Sequence, residues 1–317
     1  MKTLLCALAL APLALAGTRL LTFDARGALT GEAPAVLRTG GLALAPREAL
    51  LGAARAVLVD EQGRLHPLLW IAGEDADAGV VEIFVGLQAP RGPDAATRMG
   101  QHVHSADHAA TARAPFEAGG FGPIRRLDCG GARDRGGPLY DEHGLLAGWH
   151  AVRAVDGQRL AFAIPLERFN ALSATLRLDL PAWNRRDDAA REPNYQRGLG
   201  YLWAADFDGA LFYFRKAVEA RPTHARAWFH LAFAEGKNGH GKARLECYRK
   251  AVELDPNYAP ARYYLGFSLL LGGDRMGALV EHRRLKDLDE GWAARLKLFL
   301  DAAHVDVLDK PHEHREM

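Results

Sequence analysis

The sequence predicts a two-part chain of mixed α and β structure, a β-rich N-terminal half followed by a stack of paired helices. Three observations predict it. Short apolar runs separated by Gly-rich turns fill the first half, an internal repeat of 34 residues fills the second, and a charged stretch bounded by Pro181 and Pro193 lies between them. At 317 residues the chain is long enough for two ordinary domains, and 49% hydrophobic with 25% charged residues is the composition of packed protein. The 40 basic side chains are matched by 39 acidic ones, so no electrostatic footprint for nucleic acid or an anionic membrane surface is present.

The first element is a leader. Lys2 precedes an apolar run from Leu4 to Ala16 that closes with Ala14-Leu15-Ala16 before Gly17, the small-x-small pattern of a signal peptidase site. A spanning helix needs about 20 apolar residues, so residues 1–16 predict cleavage and export to the periplasm or beyond, with no stable membrane anchor. Cys6 leaves with the leader. The remaining Cys129 and Cys247 are too few for a disulfide framework and read as buried thiols.

Residues 17–180 read as the β domain, with strands over Ala56 to Val59, Val80 to Val85, Leu145 to Trp149 and Leu160 to Ile164. Residues 181–193 read as a linker, 194–303 as helices, and 304–317 as a polar tail. In the helical half, Ala217 and Ala251 lie 34 apart, as do Pro222 and Pro256, and Phe214 and Tyr248 share a register. Small residues at such positions let the two helices of a unit approach while large ones fill the gap to the next. These residues resemble tetratricopeptide repeats, three of them over roughly 192–290, with an apolar helix from Trp292 to Ala303 as a cap. Arg244 at a small position, Arg197 at an expected Leu and Glu290 at an expected Pro depart from the pattern.

The resemblance implies a peptide-binding groove lined by the first helix of each pair. Residues four apart share a side of a helix, which places Tyr195 and Leu199, Phe229 and Phe233, and Tyr263 and Phe267 in that groove, with Arg226 and Lys237 at its edge. The expected ligand is an apolar or amphipathic peptide of another protein.

In the first half, the segment Arg133 to Gly148 contains Gly136-Gly137-Pro138-Leu139 before a hairpin. It resembles the active-serine region of trypsin-like proteases of the bacterial high-temperature-requirement (Deg) type, where Asn-Ser-Gly-Gly-Pro-Leu stands. Ala161-Phe162-Ala163-Ile164-Pro165 looks like the end of that catalytic domain, and Val57 to Leu65 like the hairpin before its catalytic His. The resemblance implies a double β-barrel, here degenerate. Arg135 occupies the nucleophile's place, Trp70 falls near the expected His, and Gly79 near the expected Asp. A guanidinium stays protonated and only donates, so it cannot attack a carbonyl. Of the three serines, Ser105, Ser173 and Ser268, none lies in a Gly-x-Ser-x-Gly or Ser-Gly-Gly setting.

The alternative is an exported chymotrypsin-like peptidase using Cys129, whose Asp128-Cys129-Gly130-Gly131 setting resembles viral cysteine-nucleophile turns, with His66, His102 or His104 as base. His102, His104 and His108 have zinc-like spacing without accompanying Cys or carboxylate and read as a solvated loop. Residues 236–242 fit a Gly-x-x-x-x-Gly-Lys skeleton but read as a turn between helices, and Asp60, Glu61, Glu74, Asp75 and Asp77 read as turn and surface acids. The sequence therefore predicts an exported interaction protein, a pseudo-protease domain joined to a helical docking module, without catalytic residue, metal or cofactor.

Overall fold

A computed structural model describes residues 18–86, 102–104, 109–117, 123–128, 136–143, 145–169, 172, 176–186 and 188–308. The leader, Cys129, Arg135, Ser105, Ser173, His108 and the tail from residue 309 lie outside these. The chain divides into two compact units, the first holding the residues up to Phe116 together with Pro123–Asp187, the second those from Asp188 onward with Glu117–Gly122.

The first unit opens with β1 (Arg19–Phe23), β2 (Leu29–Pro34), β3 (Val36–Arg38), β4 (Leu42–Pro46), a helical turn α1 (Arg47–Leu50), β5 (Arg55–Val59), β6 (Leu65–Pro67), β7 (Trp70–Asp75) and β8 (Val80–Phe84). They form two four-stranded sheets, β2-β1-β5-β6 and β3-β4-β8-β7. Two corners join the sheets. Ala35 separates β2 from β3, and between β6 and β7 the amide of Leu68 bonds Ala56 O (3.0 Å) in one sheet while that of Leu69 bonds Phe84 O (2.9 Å) in the other. Within each sheet every neighbouring pair is antiparallel. Leu20 and Leu58 of the first sheet and Ala43, Ile71, Val81 and Ile83 of the second share one buried core.

The remaining strands are β9 (His102–His104), β10 (Ala109–Glu117), β11 (Pro123–Asp128), β12 (Gly137–Asp141), β13 (Leu146–Val155) and β14 (Gln158–Pro165). They close in the order β10-β11-β14-β13-β12-β9. The β13–β14 hairpin turns on Asp156 and Gly157, both at positive φ (49° and 73°), the left-handed pair that a two-residue hairpin requires.

The stretch expected as a linker is folded into the β unit over its first half, a correction. α2 (Leu180–Arg185) is capped by Asp179, which accepts from Ala182 N at 2.6 Å. It buries Leu180 and Trp183 in the core shared by the two sheets. Trp183 Nε1 donates to Glu74 Oε2 (2.9 Å), and Asn184 donates to Leu50 O and Ala53 O (3.1 Å each) while accepting from Gly52 N. Pro181 sits where a missing N–H costs nothing, the first turn of a helix.

The second unit consists of α3 (Pro193–Trp203), α4 (Phe207–Ala220), α5 (Ala225–Lys237), α6 (Gly241–Leu254), α7 (Ala259–Leu271), α8 (Arg275–Leu288) and α9 (Glu290–Leu308). Residues 236–242, with their phosphate-loop skeleton, span the end of α5, the turn after it and the start of α6. Among the described residues no helix is long and apolar enough to cross a membrane.

Candidate functional site

The 34-residue period is visible in contacts as well as in sequence. A Cβ at Gly198 would meet the Phe214 ring at 2.6 Å, and one at Gly266 would meet Leu296 at 2.6 Å. Ala232, between them in register, is fully buried. These three small residues set the close approach of the helices. Arg244, large where a small residue was expected, lies over Gly236, where a Cβ would meet its Cδ at 2.6 Å; the volume has been exchanged across the helix pair. Where a repeat ends on proline, that proline's carbonyl takes a side-chain N–H from six residues on, Trp228 Nε1 to Pro222 O (2.7 Å) and Arg262 Nε to Pro256 O (2.6 Å). Asp206 and Asp274 cap α4 and α8 through Gly209 N and Gly277 N.

The expected groove residues divide into two groups. Tyr195, Leu199 and Phe229 are fully buried and Phe233 nearly so, which corrects their assignment to an open aromatic surface. The reason is the size of their neighbours. Tyr195 packs on Phe214, His224 and His230. Phe229 packs on His230, Tyr248, Tyr258 and Tyr264, and Phe233 on Tyr264. The aromatic rings of one unit thus fill the space beside the next.

The second group remains accessible. Tyr263 and Phe267 are half-buried on α7, their rings parallel within 6° at 6.4 Å. α9 extends this line: Tyr263 meets Trp292 at 5.0 Å and Phe267 meets Phe299 at 4.8 Å. Leu271, 60% exposed, lies one turn further along α7. Arg226 is half-buried with its guanidinium over Tyr258, and Lys237 is exposed with its ammonium over Phe207 and Phe233. Such a strip can take apolar side chains of a bound segment, with cations beside it. Trp292 and Phe299 were not singled out from the sequence, although their separation of seven places them on one side of α9.

Buried acids hold the inside of both units. Glu235 accepts from Arg215 Nη2 (2.8 Å) and pairs with His240 Nδ1 (2.7 Å), and Arg262 pairs with Glu281 at 2.8 Å. Burial, then the charges of Glu235 and Glu246, push the Cys247 thiol up to about 12, so it is no nucleophile.

In the β unit, Gly137-Pro138-Leu139 form the start of β12, opposite His150, Trp149 and Gly148. His66 faces Asp60, Nε2 to Oδ2 at 3.0 Å. Asp60 also accepts from Gln62 N, Arg64 N and Arg64 Nε. Burial pushes its carboxyl up, but the hydrogen bonds from His66 and Arg64 and the Arg64 charge outweigh this and hold it well below the usual carboxylate range. Trp70 is stacked on Phe84 at 4.0 Å, and Gly79 is a turn residue at φ 73°. Ser268 is buried within α7. Of the acids read as turn or surface groups, Glu74, Asp75 and Asp77 are structural and mostly buried: Glu74 meets Arg47, Arg186 and Trp183, and Asp75 meets Arg168 and Ala78 N. Among the described residues no cluster of His, Cys, Asp and Glu is built to hold a metal.

Tetratricopeptide repeats are found by family comparison at residues 225–258 and 247–287, the region of α5 to α8. No curated protein is a significant match. Among solved structures, the TPR2B domain of yeast Sti1 in its pHsp70 complex is similar at 20% identity, covering 36% of this chain and 96% of that one with a TM-score of 0.34. The first TPR of Spaghetti (RPAP3), bound to the HSP90 peptide SRMEEVD, is similar at 18% identity over 35% of this chain and 93% of that one, TM-score 0.33. The active form of the Rv3671c protease from M. tuberculosis is similar at 13% identity over 51% of this chain and 83% of that one, TM-score 0.39.

Proposed function

We propose that the chain is an exported interaction protein. Its helical unit holds an apolar or amphipathic peptide of another protein, and its β unit is a trypsin-like double β-barrel that has kept the framework without the catalysis. The observation that carries this reading is the tetratricopeptide stack with an accessible aromatic strip, Tyr263, Phe267, Trp292 and Phe299, on α7 and α9. The closed six-stranded barrel, with the two four-stranded sheets that precede it around one core, supports the double-barrel reading. Arg135 at the nucleophile's place in the Gly-Gly-Pro-Leu segment supports the absence of proteolysis, and the leader over residues 1–16 supports export.

Selection of a displayed random-peptide library on the full mature chain tests the reading. Selected peptides should share apolar positions, and Tyr263→Ala with Phe267→Ala should weaken the best of them by about tenfold or more. Because both rings are half-exposed, the helical circular dichroism should be retained. Selection of no sequence, or binding indifferent to both substitutions, would defeat the assignment.

A further inference from the structure

The last helix of a stacked array meets solvent on its outer side, which solubility normally requires to be polar. α9 departs from this. Its inner stripe, Ala293, Leu296 and Leu300, is buried. On the other side Gly291, Ala294, Leu298 and Ala302 are all exposed, Leu298 to 70%, with Phe299 beside it at 43%. Their spacing keeps them on one face of the helix, and nothing among the described residues covers it. Charged groups flank the stripe: Arg295 is exposed with its guanidinium over Trp292, and Lys297 pairs with Asp301 at 2.6 Å, the two side chains 60% and 62% exposed.

We propose that this face docks a second copy of the chain, α9 against α9, antiparallel about a two-fold axis at Leu298. The order of residues carries the argument, since a two-fold axis brings together positions equally far from 298 on either side. Leu298 meets Leu298 of the partner subunit. Ala294 faces Ala302 of the partner subunit, small against small, which lets the helix axes approach to about 8–10 Å. Arg295 faces Asp301 of the partner subunit, and symmetry makes that pair twice. Asp301 keeps Lys297 meanwhile, because a carboxylate accepts from more than one donor. One short stripe therefore offers an apolar centre, close-packing flanks and matched charges to a copy of itself. A partner of unrelated sequence has no need of that symmetry.

Sedimentation velocity of the full mature chain tests the proposal. The wild type should pass from monomer to dimer as its concentration rises to about 100 µM, and Leu298→Glu, at an exposed site, should raise the dissociation constant at least about thirtyfold. Charge exchange separates this geometry from other dimers. Arg295→Asp alone sets two carboxylates against two, and Asp301→Arg alone sets two cations against two, so each protein should dimerise more weakly than the wild type. Mixed together, one chain of each kind makes both opposite-charge pairs again, and the dimer should return. A wild type that stays monomeric at that concentration assigns the face to some other protein and overturns the proposal. A dimer that survives Leu298→Glu, or one that mixing does not restore, overturns it as well.

Discussion

Replacing Phe229 by alanine distinguishes a residue that builds the solenoid from one that lines it. The ring is fully buried, with centroid distances of 4.9 Å to His230, 5.1 Å to Tyr258, and 5.7 Å to both Tyr248 and Tyr264. Its neighbours come from α5, α6, α7 and the turn before α7, so the walls of the vacated space are fixed by several helices and collapse little. A Phe→Ala change in such a setting costs about 3–5 kcal/mol. At about 3–6 °C per kcal/mol for a unit of this size, the midpoint of the helical melt should fall by roughly 10–30 °C. Stacked repeats depend on their nearest neighbours, so the transition should also broaden as α7 to α9 uncouple from α3 and α4. The assay is the thermal melt of the full chain followed by circular dichroism at 222 nm, with Phe299→Ala, at a 43% exposed ring, as a control expected to cost about 1 kcal/mol or less. A Phe229→Ala protein that melts within about 2 °C of the wild type would refute the burial argument and return this side chain to the groove.

Three further outcomes follow from the geometry. A methyl group at Gly73 would lie 1.9 Å from the Leu172 carbonyl oxygen, where the chain returns to bond β7 through Leu176 N to Ala72 O and Ile71 N to Leu178 O; Gly73→Ala should therefore destabilise the β unit by about 1–3 kcal/mol in urea titrations followed by tryptophan fluorescence. The folded state lowers the Asp60 carboxyl, so its contribution is present above the unfolded value of about 4 and is lost as pH falls through the lower folded value; Asp60→Asn should lower the melting midpoint at pH 7 and flatten its decline in melts taken below about pH 4. Cys247, pushed up to about 12, should take up iodoacetamide only after unfolding, as read by mass spectrometry of its peptide, and rapid labelling of the native chain would contradict its burial.

The helical repeat is legible because it is local: Pro222 and Pro256 mark helix ends, and Ala217 and Ala251 small positions, without reference to anything distant. Strands β5, β8, β13 and β14 are legible for the same reason, as apolar runs between turns. α2 is not, because Pro181 and the charges after Trp183 look like a linker until Glu74, Leu50 and Ala53, more than 100 residues away, supply partners. The groove was misread at Phe229 and Phe233 because periodicity gives the side of a helix that a ring occupies and says nothing of the rings on α6 and α7 that cover it. Glu74 and Asp75 were read as surface acids since their buried partners, Arg47, Arg186 and Arg168, are long-range.

Fluorescein-labelled casein incubated with the full chain tests most directly whether this protein holds other chains or cuts them. On the proposed reading, in which the protease resemblance puts Arg135 where the nucleophile would stand, and with Ser268 buried, cleavage should not exceed the no-protein control, and neither serine- nor thiol-directed activity probes should label the native protein. Turnover that disappears in Cys129→Ala would contradict the account and establish a thiol peptidase.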